Sequence, residues 1–331
     1  MSPTETMNTD LALRIHRTMV RIRVFESRVE ELFKVGKLPG FVHTYIGQEA
    51  IAAGVCAALG HDDYITSTHR GHGHAIAKGM ELGPIMAELY GKETGACRGR
   101  GGSMHVADFS VGMLGANGIV AGGLGIAAGA ALSARYRGTR QVAVGFFGDG
   151  GINKGTFHEA LNFAATHRLG VVFVCENNQY AQFTSRLRTT AVEDLSVRAS
   201  AYGIPGVTVD GNDASATYRQ ALEAVVRARE GGGPTLLNME TYRFGGHYVG
   251  DAEVYREAAE VEDRRRSDPI HRWEQVLTDG GLMPDGLRER IWEEAEQEVA
   301  SAVRFAEESP YPDADTALEN VFAAVPVTGR A

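Results

Sequence analysis

The chain has few cysteines, no excess of positive charge and no long apolar run. Its 331 residues include three cysteines, Cys56, Cys97 and Cys175, which lie far apart, and one of them must be unpaired. No disulfide framework is therefore indicated. The 33 lysines and arginines are outnumbered by 42 aspartates and glutamates, giving a net charge of -9. This charge disfavours nucleic-acid binding, because phosphate backbones are bound chiefly by an excess of Lys and Arg.

Targeting and membrane signals are also missing. The N-terminus MSPTETMNTD has neither the charged start nor the apolar core of a secretory signal. The most apolar stretch, residues 119–132, is too short and too rich in Gly and Ala to span a bilayer. With 44% hydrophobic and 23% charged residues, the composition is that of an ordinary globular protein. We therefore expect a cytoplasmic protein that does not enter a membrane.

Glycine is abundant and unevenly placed. Many of the 41 glycines fall between residues 91 and 155, in the successive segments GRGG, GANG, AGGLG and GDGG. Clustered glycine indicates tight turns and backbone that approaches another group closely. For residues 121–131, close helix packing around Gly and Ala is an equally good interpretation. For the loops, a bound ligand is the better one.

The hydrophobic pattern predicts an α/β fold. The apolar runs VAVGFF (142–147) and VVFVC (171–175) do not alternate with polar residues, which is typical of parallel strands covered on both faces. A helical segment at 156–167 joins them into a βαβ unit, usually part of a doubly wound sheet. Further strands at 207–209 and 235–239 flank a helix at 214–229.

Helical segments extend this core at both ends. Apolar residues recur at helical spacing from Leu11 to Phe33, and residues 48–59 form a second, Ala-rich helical segment. We predict a doubly wound, mostly parallel sheet in residues 41–250, with an N-terminal helical extension (1–40) and a C-terminal helical region (251–331).

Polar residues follow both apolar strands. Gly148-Asp149-Gly150 ends the first. Asn177-Asn178 ends the second and is separated from that turn by 26 residues. Ligands of open parallel sheets lie outside the carboxyl ends of the strands. A carboxylate and an amide oxygen that meet there suit Mg²⁺, which commonly binds phosphates as well. A helix N-cap role for Asp149 is the simpler alternative, but it does not explain the asparagines.

These residues resemble the hallmark of thiamine-diphosphate enzymes, in which GDG is followed at this spacing by NN. Similarity to the E1 α-subunit family extends over nearly the whole chain. The segments that carry it are FVHTYIGQEA (41–50), DDYITSTHRGHG (62–73), RGRGGSMH (98–105), GANGIV (115–120), GDGGINKGTFHEALN (148–162), CENNQYAQFTS (175–185), TYRFGGH (241–247) and SDPI (267–270).

The resemblance implies thiamine diphosphate and Mg²⁺ as cofactors. By this similarity the side chains of Asp149 and Asn178 and the Tyr180 carbonyl bind Mg²⁺. Arg70 binds diphosphate oxygens beside His69, a position where the family often has Tyr.

The resemblance also implies contacts from backbone and from histidines. Gly118 and Val120 present main chain to the aminopyrimidine, and the glycines after Asp149, Gly150 and Gly151, allow backbone to approach the phosphates. His43 and His247 line the reaction centre, where an imidazole donates to an oxyanion or shuttles protons. By the same resemblance, His247 also contacts the cofactor.

The implied function is that of an E1 α subunit working with a β subunit as an α2β2 heterotetramer and passing acyl groups to a lipoyl-bearing E2 acyltransferase. The activating glutamate of such enzymes lies on the β subunit, so the chain alone should be inactive. HVADFSVGMLGANGIV (105–120) and GHYVGDAEVYR (246–256) are similar to acetoin dehydrogenase α subunits, which favours acetoin as substrate. A 2-oxo acid dehydrogenase (pyruvate or branched-chain) or a two-subunit carboligase are the alternatives.

Other classes fit less well. A Rossmann dehydrogenase needs GxGxxG at the start of the first βαβ unit and an acidic residue after the second strand, where this chain has Asn177-Asn178. A non-catalytic scaffold would not need Asp149, Asn178, His43 and His247. The series His69, His72 and His74 lacks a cysteine or carboxylate at zinc-ligand spacing, and the last two are expected to form hydrogen bonds in a loop.

Overall fold

A five-stranded parallel sheet forms the centre of the fold in the computed structural model, which describes residues 7–319. The strands of this sheet and of a small hairpin are β1 (Tyr64–Thr66), β2 (Ala143–Gly148), β3 (Val171–Asn177), β4 (Tyr180–Ala181), β5 (Thr184–Ser185), β6 (Gly206–Asp210) and β7 (Thr235–Glu240). The sheet order is β1-β2-β3-β7-β6 with every pair parallel, and β4 pairs antiparallel with β5. The predicted α/β class with a parallel sheet is confirmed.

Helices cover the sheet and extend it at both ends. They are α1 (Thr9–Lys34), α2 (Glu49–Ala57), α3 (Gly71–Lys78), α4 (Leu82–Leu89), α5 (Gly122–Tyr136), α6 (Gly155–Thr166), α7 (Arg186–Thr189), α8 (Ala214–Arg229), α9 (Ala258–Arg265), α10 (Pro269–Asp279) and α11 (Leu287–Glu308). The proposed boundaries at 40/41 and 250/251 stay a prediction, and residues 1–6 and 320–331 of the two extensions lie outside the described part.

Central strands are buried on both faces, as their uninterrupted apolar runs predict. Successive side chains of a strand point to opposite faces. In β2, Val144 and Phe146 join one hydrophobic core, while Ala143 and Phe147 join the other. Gly145 faces α5, and a Cβ at this position would lie 3.0 Å from the Leu124 side chain. The missing side chain lets α5 pack closely against the sheet.

The long N-terminal helix is defined by its cap and its apolar face. The Asn8 side chain accepts a hydrogen bond from the Leu11 amide at 2.8 Å, which satisfies one free N–H of the first turn. Ile15, Met19 and Phe25 are fully buried on the face that the helical spacing predicts.

The loops after β1 and β2 leave the sheet on opposite faces. Helix α3, after β1, contributes Ala75 and Ile76 to one core, whereas α6, after β2, contributes Phe157 and Leu161 to the other. A crevice opens where neighbouring strands diverge in this way, outside their carboxyl ends. This edge of the sheet is therefore where a ligand site is expected.

Two expectations from composition can be compared with the described residues. Cys56, Cys97 and Cys175 are all free thiols. Among residues 7–319, no helix combines the length and the apolar character that a membrane crossing requires.

Candidate functional site

A cavity of about 450 Å³ opens at the carboxyl edge of β1, β2 and β3. Its walls come from the loops that follow these strands, from the start of α5 and from the segment after β7. Every site residue predicted from the sequence lines it: His43, His69, Arg70, Gly118, Val120, Asp149, Gly150, Gly151, Asn178, Tyr180 and His247. The fold thus brings together residues that are up to about two hundred positions apart in sequence, while their individual roles stay predictions.

Asp149 is a buried carboxylate with an unused oxygen. It follows β2 directly and is 1% exposed. Its Oδ2 atom has no hydrogen-bond partner among the described residues, and its carboxyl forms no ion pair there. Burial raises the pKa of this group to about 6. An ionised carboxylate in such a place is unfavourable unless a cation or a donor meets it, so the position suits a metal ligand.

Asn178 lies at the end of the neighbouring strand and is held in place on both sides. Its Nδ2 donates to Gln48 Oε1 at 3.0 Å, and its Oδ1 accepts from the Tyr180 amide at 3.3 Å. Gln179, between them, has a positive φ of 75°, an uncommon value for a non-glycine residue. This turn brings Tyr180 to the same wall as Asp149. Gln48, which orients the asparagine, was not recognised from the sequence.

Two buried arginines face the cavity without a carboxylate partner in residues 7–319. Arg70 donates to the carbonyls of Thr44 and His247, both at 2.7 Å. Arg243 donates to the Gln182 carbonyl at 3.0 Å and to the Tyr255 hydroxyl at 2.8 Å. Burial and the charge of Arg243 lower the pKa of Arg70 to about 9. Two buried cations satisfied only by neutral acceptors form a site for an anion.

Arg70 was proposed as a site residue from the family resemblance, whereas Arg243 was not. The arginine lies in the TYRFGGH segment, three residues after β7 ends, so a signal was present in its position at the carboxyl end of a central strand. Its burial to 2% exposure is a consequence of tertiary structure that no local pattern reveals.

The Gly118–Val120 turn offers free main-chain groups to the cavity. Within the described residues, no hydrogen bond engages the backbone of Gly118 or Val120. Val120 as a whole residue is 45% exposed. Across the cavity, a Cβ on Gly150 would lie 2.8 Å from the Ala181 Cβ, so glycine is needed for the β4–β5 hairpin to approach the Asp149 loop.

Three histidines meet at one side of the cavity. The ring of His43 lies 4.8 Å from that of His69 and 4.9 Å from that of His247, measured between centroids. Burial, followed by the positive charge of Arg70, lowers the pKa of His43 to about 3 and that of His247 to about 4, and it lowers the pKa of His69 well below its usual value. All three imidazoles are therefore neutral near pH 7 and can donate or accept a proton.

His72 and His74 do not belong to this cluster, and the expectation that they lie in a loop is wrong. Both are fully buried in α3. His72 Nδ1 lies 3.1 Å from Glu26, and His74 Nε2 lies 3.0 Å from Glu176, whose same oxygen accepts from the Tyr45 hydroxyl. His74 thus contacts Glu176, which is a further lining residue that was not predicted.

The donor set fits a magnesium diphosphate group. An orphaned carboxylate oxygen and an amide lie beside two unneutralised arginines, and hard oxygen ligands with phosphates complete the usual coordination of Mg²⁺. Asp149 and Asn178 would hold the metal, while Arg70 and Arg243 would face the anionic oxygens. The unengaged backbone groups of Gly118 and Val120 are suited to a heteroaromatic ring that needs paired donors and acceptors.

Comparison with known proteins gives a consistent result. The model of the family described as "Dehydrogenase E1 component" matches residues 17–315. The chain is 50% identical over 321 residues to the α subunit of acetoin:2,6-dichlorophenolindophenol oxidoreductase of Bacillus subtilis, covering 96% of this chain and 95% of that one. It is 46% identical to the protein of the same name from Cupriavidus necator, and the match covers 96% of this chain and 95% of that one. It is 41% identical to pyruvate dehydrogenase E1 component subunit alpha-3, chloroplastic, of Arabidopsis thaliana, and the match covers 96% of this chain and 77% of that one.

Proposed function

This chain belongs to the family of dehydrogenase E1 components, and we propose that it is the α subunit of a thiamine-diphosphate- and Mg²⁺-dependent enzyme that cleaves acetoin. The observation that carries the cofactor part is the convergence of Asp149, with its unpaired oxygen, and the unneutralised pair Arg70 and Arg243 on one cavity at the carboxyl edge of the sheet.

The residues of this chain would hold the cofactor and manage protons. When bound, thiamine diphosphate supplies a nucleophilic carbon for cleaving a C–C bond beside a carbonyl. Asp149, Asn178 and the Tyr180 carbonyl bind Mg²⁺, and the guanidinium of Arg70 neutralises phosphate charge. Gly118 and Val120 direct main-chain groups at the pyrimidine ring.

His43 and His247 act at the substrate end of the cavity. Because both imidazoles are neutral near pH 7, each can donate its N–H to a substrate oxygen or take up a proton from a substrate hydroxyl. Asp251 Oδ2 accepts from the His247 amide, at 2.6 Å, and Arg70 donates to the His247 carbonyl. These two bonds fix the backbone that carries the imidazole.

Acetoin is the substrate that the similarities favour. Identity is higher to the two acetoin oxidoreductase α subunits than to the plant pyruvate dehydrogenase subunit. In this reaction acetaldehyde is released and the remaining two-carbon unit is transferred as an acetyl group to the lipoyl group of an E2 acyltransferase. The disulfide of the lipoyl group is the oxidant and is reduced in this step. A 2-oxo acid substrate is the second candidate, because the pyruvate dehydrogenase similarity also spans nearly the whole chain.

The active enzyme requires a second subunit. The relatives are named as α subunits, and Glu176, a carboxylate of the cavity wall, is already engaged by His74 and Tyr45. We propose that a β subunit supplies the glutamate that activates the cofactor, in an α2β2 heterotetramer of the cytoplasm.

The test is a substrate comparison on the assembled complex. The chain is copurified with its β subunit, and reduction of 2,6-dichlorophenolindophenol is followed with acetoin, pyruvate and a branched 2-oxo acid. We expect the highest kcat/KM for acetoin, with activity lost when Mg²⁺ is removed. A far higher kcat/KM for pyruvate would overturn the acetoin assignment, and activity without thiamine diphosphate would overturn the cofactor assignment.

A further inference from the structure

The three cavity histidines come from three separate loops, yet their ring nitrogens converge. One ligand nitrogen from each of His43, His69 and His247 lies within 4.8 Å of the others. In the described part of the chain, this is the one group of three metal-ligating side chains found so close together. We propose that these histidines form a transition-metal site that binds Zn²⁺, distinct from the magnesium ligands.

The chemistry of the three side chains suits such an ion. Imidazole nitrogen is a preferred ligand of Zn²⁺, with bonds of about 2.0–2.1 Å, which places two ligands of a tetrahedral ion about 3.4 Å apart. Binding therefore requires each pair of nitrogens to approach by no more than about 1.4 Å, through rotation of the side chains and small movements of the loops. A neutral imidazole carries one unprotonated ring nitrogen, which is the atom that binds such an ion.

Few competing contacts hold these rings. The Nδ1 atom of His43 is buried without a hydrogen-bond partner in residues 7–319, and no hydrogen bond to the His69 ring is formed there. His247 Nδ1 has only a long contact, 3.5 Å, with the Arg70 guanidinium. That cation repels a dication, so the affinity should be below that of a zinc enzyme whose three histidines face no positive charge.

The site is chemically different from the Asp149 region of the same cavity. Asp149, Asn178 and the Tyr180 carbonyl offer oxygen, which suits Mg²⁺, whereas three imidazoles select Zn²⁺, Co²⁺, Ni²⁺ or Cu²⁺. His72 and His74, which lie close to His69 in sequence, do not contribute, because they are engaged by Glu26 and Glu176.

A bound ion would occupy the nitrogens that the proposed function assigns to proton transfer. We therefore expect Zn²⁺ to inhibit turnover and a chelator to reverse the inhibition. This consequence rests on the proposed function, but metal binding itself does not, and the primary test measures binding alone.

The full-length chain is titrated with Zn²⁺ in competition with a chromophoric chelator, and with Co²⁺ in visible absorption. Co²⁺ bound by nitrogen ligands at low coordination number absorbs visible light much more strongly than Co²⁺ in a six-coordinate oxygen site. His69→Tyr, the residue the family often has at this position, removes one ligand. Asp149→Asn alters the magnesium site, and His271→Ala, which removes an exposed histidine of α10, is the matched control.

We expect one ion per wild-type chain, with the strong band retained in Asp149→Asn and His271→Ala. His69→Tyr should weaken Zn²⁺ binding by at least about 10-fold, since even loss of an outer-shell partner has an effect of that size. Equal affinity in wild type and His69→Tyr would overturn the proposal. Loss of the ion in Asp149→Asn would also overturn it, because the metal would then belong to the oxygen site.

Melting curves exclude a folding artefact. Zn²⁺ should raise the Tm of wild type, Asp149→Asn and His271→Ala, because a ligand of the native state stabilises that state. His69→Tyr should melt cooperatively without metal and show a smaller rise. A rise equal to that of wild type in a cooperatively folded His69→Tyr chain would contradict the site.

Discussion

Replacing Asp149 with asparagine should remove a charge from a buried position with almost no change of shape. Burial raises the pKa of this carboxyl from 3.8 to about 6. One pKa unit corresponds to about 1.4 kcal/mol, so the ionised group destabilises the metal-free chain by roughly 3 kcal/mol at pH 7. Asp149→Asn should therefore raise the free energy of unfolding without metal by about 1–3 kcal/mol, the lower figure applying if the new amide finds no acceptor.

The pH dependence of this effect follows from proton binding. A native carboxyl of raised pKa binds its proton more tightly than the unfolded chain does. Its destabilising contribution is fully present above the native pKa of about 6 and disappears below the unfolded value of 3.8. The difference between wild type and Asp149→Asn should therefore be largest at pH 7 and vanish near pH 3.8. Urea unfolding followed by circular dichroism, in the presence of a chelator, measures it.

The same substitution should have the opposite effect once cofactors are added. Wild type should gain stability from Mg²⁺ and thiamine diphosphate, whereas Asp149→Asn should bind them at least about 10-fold more weakly, because a charged ligand is lost. Calorimetric titration of the complex with the β subunit checks this. Cofactor affinity equal to that of wild type would refute the assignment of Asp149 to the metal.

Asp63→Asn is the matched control. Asp63 is also fully buried, but its carboxylate accepts from the amides of Gly60 and Val142, each at 2.7 Å, and pairs with Arg229 at 2.6 Å. It precedes β1, at the opposite edge of the sheet from the cavity. Loss of this satisfied carboxylate should destabilise the chain by about 2 kcal/mol or more and leave cofactor affinity unchanged. If Asp149→Asn destabilised the metal-free chain as Asp63→Asn does, the burial argument would be wrong.

Three further predictions concern the histidines and the assembly. His247→Ala should lower kcat of the complex by about 10²–10⁴-fold with cofactor affinity nearly unchanged, since one proton-transfer group is lost; a large fall in affinity alone would contradict this role. The isolated chain should show no dye reduction with acetoin or any 2-oxo acid until a β subunit is added, and steady turnover without it would disprove the shared site. His43 has a pKa lowered from 6.5 to about 3, so its contribution to stability is lost as pH falls below about 6.5, by about 2 kcal/mol at pH 5. When the free energy of unfolding is measured with urea at pH 7 and at pH 5, its fall between the two should be smaller for His43→Gln than for wild type. An equal fall in both proteins would show that His43 is not the group that titrates.

The sheet could be predicted because its central strands carry an unmistakable pattern. β2 and β3 are buried on both faces, so their sequences are continuous apolar runs, and they end within two residues of the predicted ends. Helix α8 has the predicted bounds, Ala214 to Arg229. Strand β1 was missed because three residues are too few to show a period, and α3 was missed because GHGHAIAK contains two glycines that weaken a helical signal.

The site was predictable to the extent that its residues follow strands. Asp149 and Asn178 come directly after β2 and β3, and the resemblance supplied Arg70, His43 and His247 as candidate residues. The direct ring contacts of His43 with His69 and His247 could not be derived from the sequence pattern, because they join three loops distant in sequence. Proximity in sequence pointed instead to His72 and His74, which the helical geometry of α3 turns towards Glu26 and Glu176.

The cavity keeps opposite charges apart within the same wall. Asp149 could have been neutralised by Arg243 or Arg70, yet both arginines donate to carbonyl or hydroxyl oxygens, and the Asp149 Oδ2 atom stays unpaired in the described residues. A direct ion pair would stabilise the free chain but would have to break when a metal and a diphosphate arrive. Keeping the charges separate leaves each one available for its ligand, and the free chain is less stable as a result. Ligand binding offsets this loss, because a ligand at 100 times its Kd raises the free energy of unfolding by about 2.7 kcal/mol. The cofactor-free chain should therefore be the less stable and more readily degraded form, and saturation with Mg²⁺ and thiamine diphosphate should raise its Tm more than Mg²⁺ alone.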